Sequence, residues 1–313
     1  MNLSSSFSSS QEKITYQAAF RGKTAQIFLD ETSQGKVIGV TSRGVFFQTS
    51  PQRVLFLSKE EFRGPLTINF LSFEPSSIQV GEAGAVTAEG KILFEHGVEL
   101  ILQNASLWSA NPPGGINGSP ETLRTRLKQC ARLVLVEKRG AGLSALLNPL
   151  LGLGIPVETP DIAAQSLALI QSAQEEIRAG RYGHLPALLG SLMGRGFGLT
   201  PSGDDLILGM LLAFNRFKDL FPPVGQIAAC NQAIAQLAYA RTTTLSANLI
   251  EAAATGQADE RLITALDGLV TGKIEPEASA ALLEAWGNSS GVDALVGFSM
   301  ALISIIPSSR SPA

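Results

Sequence analysis

The spacing of apolar residues changes once along the chain, across Asn111–Pro120 (NPPGGINGSP). Pro and Gly at that density suit neither helix nor strand, so residues 111–120 read as a linker. Before it lie short runs rich in Val, Ile, Phe and Thr. These are Ala25–Leu29, Lys36–Thr41, Gly44–Thr49, Arg53–Ser58, Leu66–Phe70, Ile78–Val80, Lys91–Phe94 and Val98–Leu102, with Gly, Pro and Ser between them. The pattern predicts a mainly antiparallel β domain over 13–110, a sandwich or barrel. No helical stretch alternates with these strands, which argues against a Rossmann domain. After the break the period becomes helical. Glu121–Val136, Asp161–Ala179, Leu185–Met193, Asp204–Lys218, Gly225–Ala240, Ser246–Ala254, Asp259–Val270, Glu277–Trp286 and Val292–Ile306 all read as helices. The expected fold is therefore α+β: a β domain followed by a mainly α-helical domain over 121–313. The serine-rich residues 1–12 read as a disordered tail.

Composition removes several function classes. A net charge of −3 and a pI near 5.6 leave no basic face for nucleic acid. The apolar stretches Ala145–Val157 and Leu206–Phe214 are too short to span a bilayer, so no membrane role is expected. Cys130 and Cys230 stand far apart, outside any ligand spacing, and read as reduced structural thiols of a cytoplasmic protein. The two histidines, His96 and His184, fall in different halves, which excludes a His-rich zinc site.

The segment Gly194–Asp205, GRGFGLTPSGDD, carries the most chemistry. Alternating glycines permit positive φ and expose bare backbone. Successive N–H groups followed by a helix N-terminus attract an anion, here through Gly196, Gly198, Thr200, Ser202 and Gly203. Asp204 and Asp205 are the candidate catalytic residues; with Asp293 they also form a candidate set for a divalent cation such as Mg²⁺. Helix capping explains part of the pattern equally well. Ser202 is a suitable N-cap, and an Asp in a first turn is favoured by the helix dipole alone. Three alternating glycines, whose ordering is entropically costly, are not explained that way. Arg241 with Thr243 and Ser246 supplies a second group suited to a carboxylate or phosphate, with capping again the plain alternative.

An echo follows 88 residues on. Ser202-Gly-Asp-Asp-Leu-Ile-Leu-Gly209 aligns without gaps on Ser290-Gly-Val-Asp-Ala-Leu-Val-Gly297. Each copy has a serine, a glycine (Gly203, Gly291), an acid in the first turn and a glycine four residues after that acid. A mid-helix glycine costs about 1 kcal/mol against Ala, so Gly209 and Gly297 imply close packing. One expectation is that the two helices cross there and aim their N-termini, with Asp205 and Asp293, at one pocket; the other is that two capped helices look alike by chance.

On these residues the chain resembles a bacterial domain-of-unknown-function family sharing the motif GxGxGLTPSGDD, matched at Gly194–Asp205. Its looser elements match at Thr242-Thr243…Ser246 and Ser289–Asp293. That family is related to the AllH-type subunit of oxamate carbamoyltransferase in purine (allantoin) catabolism. The resemblance implies a carbamoyltransferase-like subunit that acts with other enzyme subunits, converting oxalurate and phosphate to oxamate and carbamoyl phosphate. A small anionic substrate fits the loop as read above. Two other readings stay open: a non-catalytic metabolite-binding or assembly subunit, and a metal-dependent hydrolase using Asp204, Asp205 and Asp293.

Overall fold

The computed structural model describes residues 13–156, 160–221 and 224–306. The expected tail, 1–12, lies outside them. Contacts divide the chain into two units, one ending at Trp108 and the other beginning at Ser109. Among the described residues no helix is long and apolar enough to cross a membrane.

The first unit is one curled mixed sheet. Its strands are β1 (Ile14–Gln17), β2 (Phe20–Gly22), β3 (Gln34–Val40), β4 (Gly44–Ser50), β5 (Arg53–Ser58), β6 (Thr67–Asn69), β7 (Ala83–Thr87), β8 (Lys91–Phe94), β9 (Val98–Ile101) and β10 (Ser106–Trp108). Their order is β1-β9-β8-β7-β3-β4-β5-β6-β2-β10. The antiparallel pairings dominate; β1–β9, β5–β6 and β2–β10 are parallel. Only Ala18-Ala19 separates β1 from β2, so residues 14–22 run beside 98–108 and also reach β6. The bonds Ala18 N–H to Ile101 O, Ala19 N–H to Asn69 O and Ser106 N–H to Ala19 O mark that passage. One chain segment thus belongs to both ends of the sheet and curls it into a half-barrel, which replaces the sandwich alternative. Inside lie Val45, Phe47, Leu55, Leu57, Ile68 and Leu100, all fully buried. Gly35 and Gly84 face each other on β3 and β7, and a side chain on either would strike the Phe47 ring.

Two expected strands do not form. Ala25–Leu29 lies in helix α1 (Lys23–Asp30), which buries Ala25, Phe28 and Leu29 at helical spacing. Ile78–Val80 follows a 3₁₀ turn at Pro75–Ser77, and the strand begins only at Ala83. Proline starts that turn, and the Glu82 carboxylate accepts from the Gln79 N–H, holding the chain out of the ladder.

The second unit is helical. It contains α2 (Pro120–Glu137), α3 (Leu147–Leu151), α4 (Asp161–Arg178), α5 (Leu185–Gly190), α6 (Ser202–Arg216), α7 (Val224–Arg241), α8 (Thr244–Ala253), α9 (Glu260–Thr271), α10 (Pro276–Ala285) and α11 (Ser290–Ile305). Ser119 caps α2, accepting from the Thr122 N–H, with Pro120 in the first turn. Residues 109–119 are strapped to this unit. Ala110 N–H donates to Gln257, Asn111 O accepts from Arg216, and Asn117 O accepts from Arg126. Cys130 and Cys230 are buried with thiols pushed up to about 12 by desolvation, and they are inert.

At the centre α6 and α11 cross. Residues 202–214 of α6 and 290–304 of α11 are buried on every side, as befits helices apolar all round. A Cβ at Gly209 would overlap the Ala294 carbonyl, and one at Gly297 would overlap the Leu206 carbonyl. Those contacts correspond to each other under the 88-residue offset, so the crossing is pseudo-symmetric. The far end of α6 is fixed by Arg216, which forms a two-pronged ion pair with Asp267 (2.7 and 2.5 Å) and donates to Gly256 O and Asn111 O. Gly297→Ala should lower the unfolding free energy by about 3 kcal/mol or more, because neither backbone can retreat. Gly225→Ala, on α7 in open space, should be neutral or stabilising by up to about 1 kcal/mol. Urea unfolding followed by helical circular dichroism checks both, and a tolerated Gly297→Ala would refute the close crossing.

Candidate functional site

The glycine loop adopts the conformation that its sequence demands. Gly194, Gly196 and Gly198 have φ of +72°, +117° and +93°. Gly194 also packs against Arg241 O and Gly196 against the Ser202 N–H, while Gly198 faces open space. The loop is gripped from beneath. Asp204, 2 % exposed, accepts from the Gly194 N–H (2.9 Å) and from the Thr242 hydroxyl. Leu199 O accepts from the hydroxyls of Thr243 (2.7 Å) and Ser246 (3.4 Å). The Thr200 and Ser290 hydroxyls bond at 3.1 Å. Outward, Phe197 is 98 % and Leu199 56 % exposed. The N–H groups of residues 196–200 meet no protein acceptor among the described residues.

The serines do not act as the expected caps. Pro201 occupies the capping position of α6, and Ser202 is its first helical residue. Ser289 occupies that position for α11, and Ser290 follows it. Proline's fixed φ suits the entry of α6 without a side-chain cap, and Ser289 enters α11 without a side-chain cap bond, so the Ser202 and Ser290 hydroxyls are both left for other partners. The cap of α8 is Thr243, which accepts from the Ser246 N–H.

Released in this way, each serine serves the acid of the other helix. Ser290, with Thr200, lies against Asp205, and Ser202 lies against Asp293; these hydroxyls hold the carboxyl pKa values down. Burial acts more strongly in the other direction. Asp205 and Asp293 are 1 % and 0 % exposed, and the second oxygen of each has no hydrogen-bond partner. Desolvation, reinforced by the Asp293 charge, drives Asp205 well above the usual carboxylate range. Desolvation likewise carries Asp293 up to about 7, although its other oxygen accepts from the Leu143 N–H at 2.6 Å. Burial of both acids, with the charge of Asp293 acting on Asp205, favours their protonated forms. Asp204 is also raised by burial, opposed by Thr242, Gly194 and Ser246.

The predicted residues therefore separate into two clusters. Thr200, Ser202, Asp205, Ser290 and Asp293 meet at the helix crossing. Gly194, Asp204, Thr242, Thr243 and Ser246 meet beneath the loop. Gly203 and Gly291 are packing positions, where a Cβ would overlap the Leu192 and Leu283 carbonyls. Arg241 is exposed and donates to Gly190 O at 3.2 Å. The three-aspartate cation set does not assemble. Asp204 is turned to the loop, and no group of three or more His, Cys, Asp or Glu side chains is placed to hold a metal among the described residues. The sequence reading missed Gly142-Leu143. At Gly142, with φ +52°, any Cβ would overlap the Asp293 carboxylate, so glycine is what lets the backbone close on that acid. The signal was present as the Gly140-Ala-Gly142 turn.

Residues 192–302 match the AllH family, described as oxamate carbamoyltransferase subunit AllH, and through them the chain is related to that family. The match runs from just ahead of the glycine loop into α11, so it takes in the loop, both acids and both crossing glycines. No curated protein and no solved structure matches the chain.

The buried acids give a pH signature. A carboxyl that folds with a raised pKa contributes its full stability only below its ordinary value of 3.8 and loses it as pH rises through about 7. In Asp293→Asn the amide keeps an acceptor for the Leu143 N–H and cannot ionise. Relative to that variant, the natural chain should lose stability between pH about 4 and about 7, by up to roughly 1.4 kcal/mol per pH unit. Urea midpoints measured across that range decide it: parallel pH profiles would mean that Asp293 folds with an ordinary pKa.

Proposed function

We propose that the chain is one subunit of an oxamate carbamoyltransferase-type enzyme, binding a small carboxylate or carbamoyl phosphate at the outer face of loop 194–200. The observation that carries this reading is the family match, which spans the loop and the helix pair that supports it. The loop's unengaged N–H groups between positive-φ glycines supply donors of the kind that anions seek. Arg195 and Arg241 supply positive charge nearby. The α6 terminus is not the receptor, because the N–H groups of Gly203, Asp204 and Asp205 are already taken by Arg195 O and Pro201 O. Asp204 and Asp205 then act as positioning residues, one gripping the loop and the other setting the crossing that carries it.

In the expected reaction a phosphate oxygen attacks the ureido carbon of oxalurate. The bond from that carbon to the oxamate nitrogen breaks, and the nitrogen takes a proton. Fixed N–H donors favour this by orienting two anions and bearing the charge on the carbonyl oxygen, with no protein nucleophile needed. The exposed Phe197 favours work in an assembly, since a bare aromatic on a braced loop is a suitable anchor for another chain. Among the described residues no cluster supports the metal-dependent hydrolase reading.

Carbamoyl phosphate formation from oxalurate and phosphate should be absent with the purified chain and appear on adding the enzyme's remaining subunits. Arg241→Ala should weaken calorimetric binding of carbamoyl phosphate about tenfold, the size of one charge-assisted hydrogen bond. Phe197→Ala should abolish co-elution with the other subunits while leaving that binding intact. No turnover in the full mixture, together with no binding of oxamate or carbamoyl phosphate, would overturn the reading.

A further inference from the structure

Residues 111–120, read from the sequence as a linker, contain Asn117-Gly118, the chain's single Asn-Gly pair. The pair lies just ahead of α2, and both residues are exposed. The main chain of Asn117 is held at both of its polar groups. Its N–H donates to Val270 O (3.4 Å), and its carbonyl accepts from Arg126 (2.8 Å). Two neighbouring groups are not held. The side-chain amide of Asn117 and the N–H of Gly118 meet no protein partner among the described residues.

The fold also fixes glycine at 118. Its φ is +102°, and a Cβ there would lie 3.0 Å from the Thr122 side chain. Thr122 has little room to give way. Its N–H donates to Ser119 (3.2 Å) and the two hydroxyls bond at 3.1 Å, which is how α2 begins. The entry to that helix therefore retains the one residue type whose backbone nitrogen is not shielded by a Cβ of its own.

From this arrangement we infer that Asn117 is a site of spontaneous deamidation, in which the Gly118 nitrogen closes on the Asn117 side chain and the product carboxylate forms near Arg126. The Gly118 nitrogen gives up its proton and attacks Asn117 Cγ. The Cγ–Nδ2 bond breaks, ammonia leaves with that proton, and a cyclic imide remains. Water then opens the ring on one side or the other. Opening at Cγ gives aspartate in an unaltered backbone. Opening at the Asn117 backbone carbonyl carbon gives isoaspartate, whose chain runs through the former side chain. In that product the carbonyl already held by Arg126 becomes a free carboxylate, which turns a neutral acceptor into a charged one. Either product adds negative charge just before the α2 cap, the sign that a helix N-terminus favours. The site is separate from the anion site proposed at the glycine loop.

The whole chain, incubated at mildly alkaline pH and then mapped by peptide mass spectrometry, tests this. The peptide carrying Asn117 should gain the mass difference between an amide and an acid, and separate into aspartate and isoaspartate forms. Conversion should be about tenfold or more faster than at Asn104-Ala105 and Asn288-Ser289, whose asparagines are also exposed. It should quicken as pH rises, because the nucleophile is the deprotonated nitrogen. The folded chain should convert within about tenfold of the rate in urea, since the fold leaves both reacting groups free. Asn117→Gln, which lengthens the side chain and disfavours ring closure, should remove the fast conversion while leaving helical circular dichroism unchanged. Conversion at Asn117 no faster than at Asn288 overturns the inference. So does a folded chain that converts more than about tenfold slower than the unfolded one.

Discussion

Backbone meets backbone where Gly209 and Gly297 let α6 and α11 touch, and much of the helical unit is arranged around that contact. Each mid-helix glycine costs about 1 kcal/mol of helix propensity. That cost is offset by dispersion over two helices buried on every side, since atoms at contact distance replace a gap that any Cβ would hold open. The close approach has an electrostatic result. It brings Asp205 and Asp293, one turn from their helix starts, within range of each other in a region without water. Ordinarily an acid in a first turn is stabilised as an anion by the helix dipole. Here desolvation exceeds that help, and the pair keeps protons that exposed acids would lose.

That same crossing explains why the two serines leave the capping role. A cap hydroxyl turned back to its own helix would leave the facing acid with fewer donors. Prolonging α6 and α11 by one residue lets Ser202 and Ser290 reach across instead, each to the acid of the other helix. The exchange is reciprocal and follows the 88-residue offset, so the sequence echo corresponds to a pseudo-symmetric packing unit. Symmetry stops at the second acid. Asp204 has Val292 as its counterpart, and it alone turns outward to hold the glycine loop.

The echo, its spacing and its glycines made the helix crossing legible in the sequence, because a glycine inside an apolar helix has few other uses. The β half was legible as strands and illegible as topology. Parallel pairing of residues 14–22 with 98–108 joins segments distant in the chain, and local periodicity carries no trace of it. Helix α1 was misread because Ala25, Phe28 and Leu29 fit a strand run by composition, although their spacing of three and four is helical. The different directions of the aspartates were not legible either. Adjacent helical residues such as Asp204 and Asp205 project about 100° apart, so one turns to the loop and the other to the helix crossing.

The glycine loop and the cavity beside Phe214 and Asn231 are built on the same helices. Helix α6 is packed on every side, and Arg216 is locked to Asp267, Gly256 and Asn111. The cavity opens instead on α7 and α8, and these two meet at Arg241–Thr243. From that junction Thr242 reaches Asp204, and Thr243 reaches Leu199 O on the loop. The α7–α8 junction is thus tied to α6 through Asp204 and to the loop through Leu199 O. The Tyr239–Glu251 bond (2.5 Å) ties the same two helices further along. Hydroxyl groups at that junction therefore fasten the loop to the frame set by the crossed glycine helices.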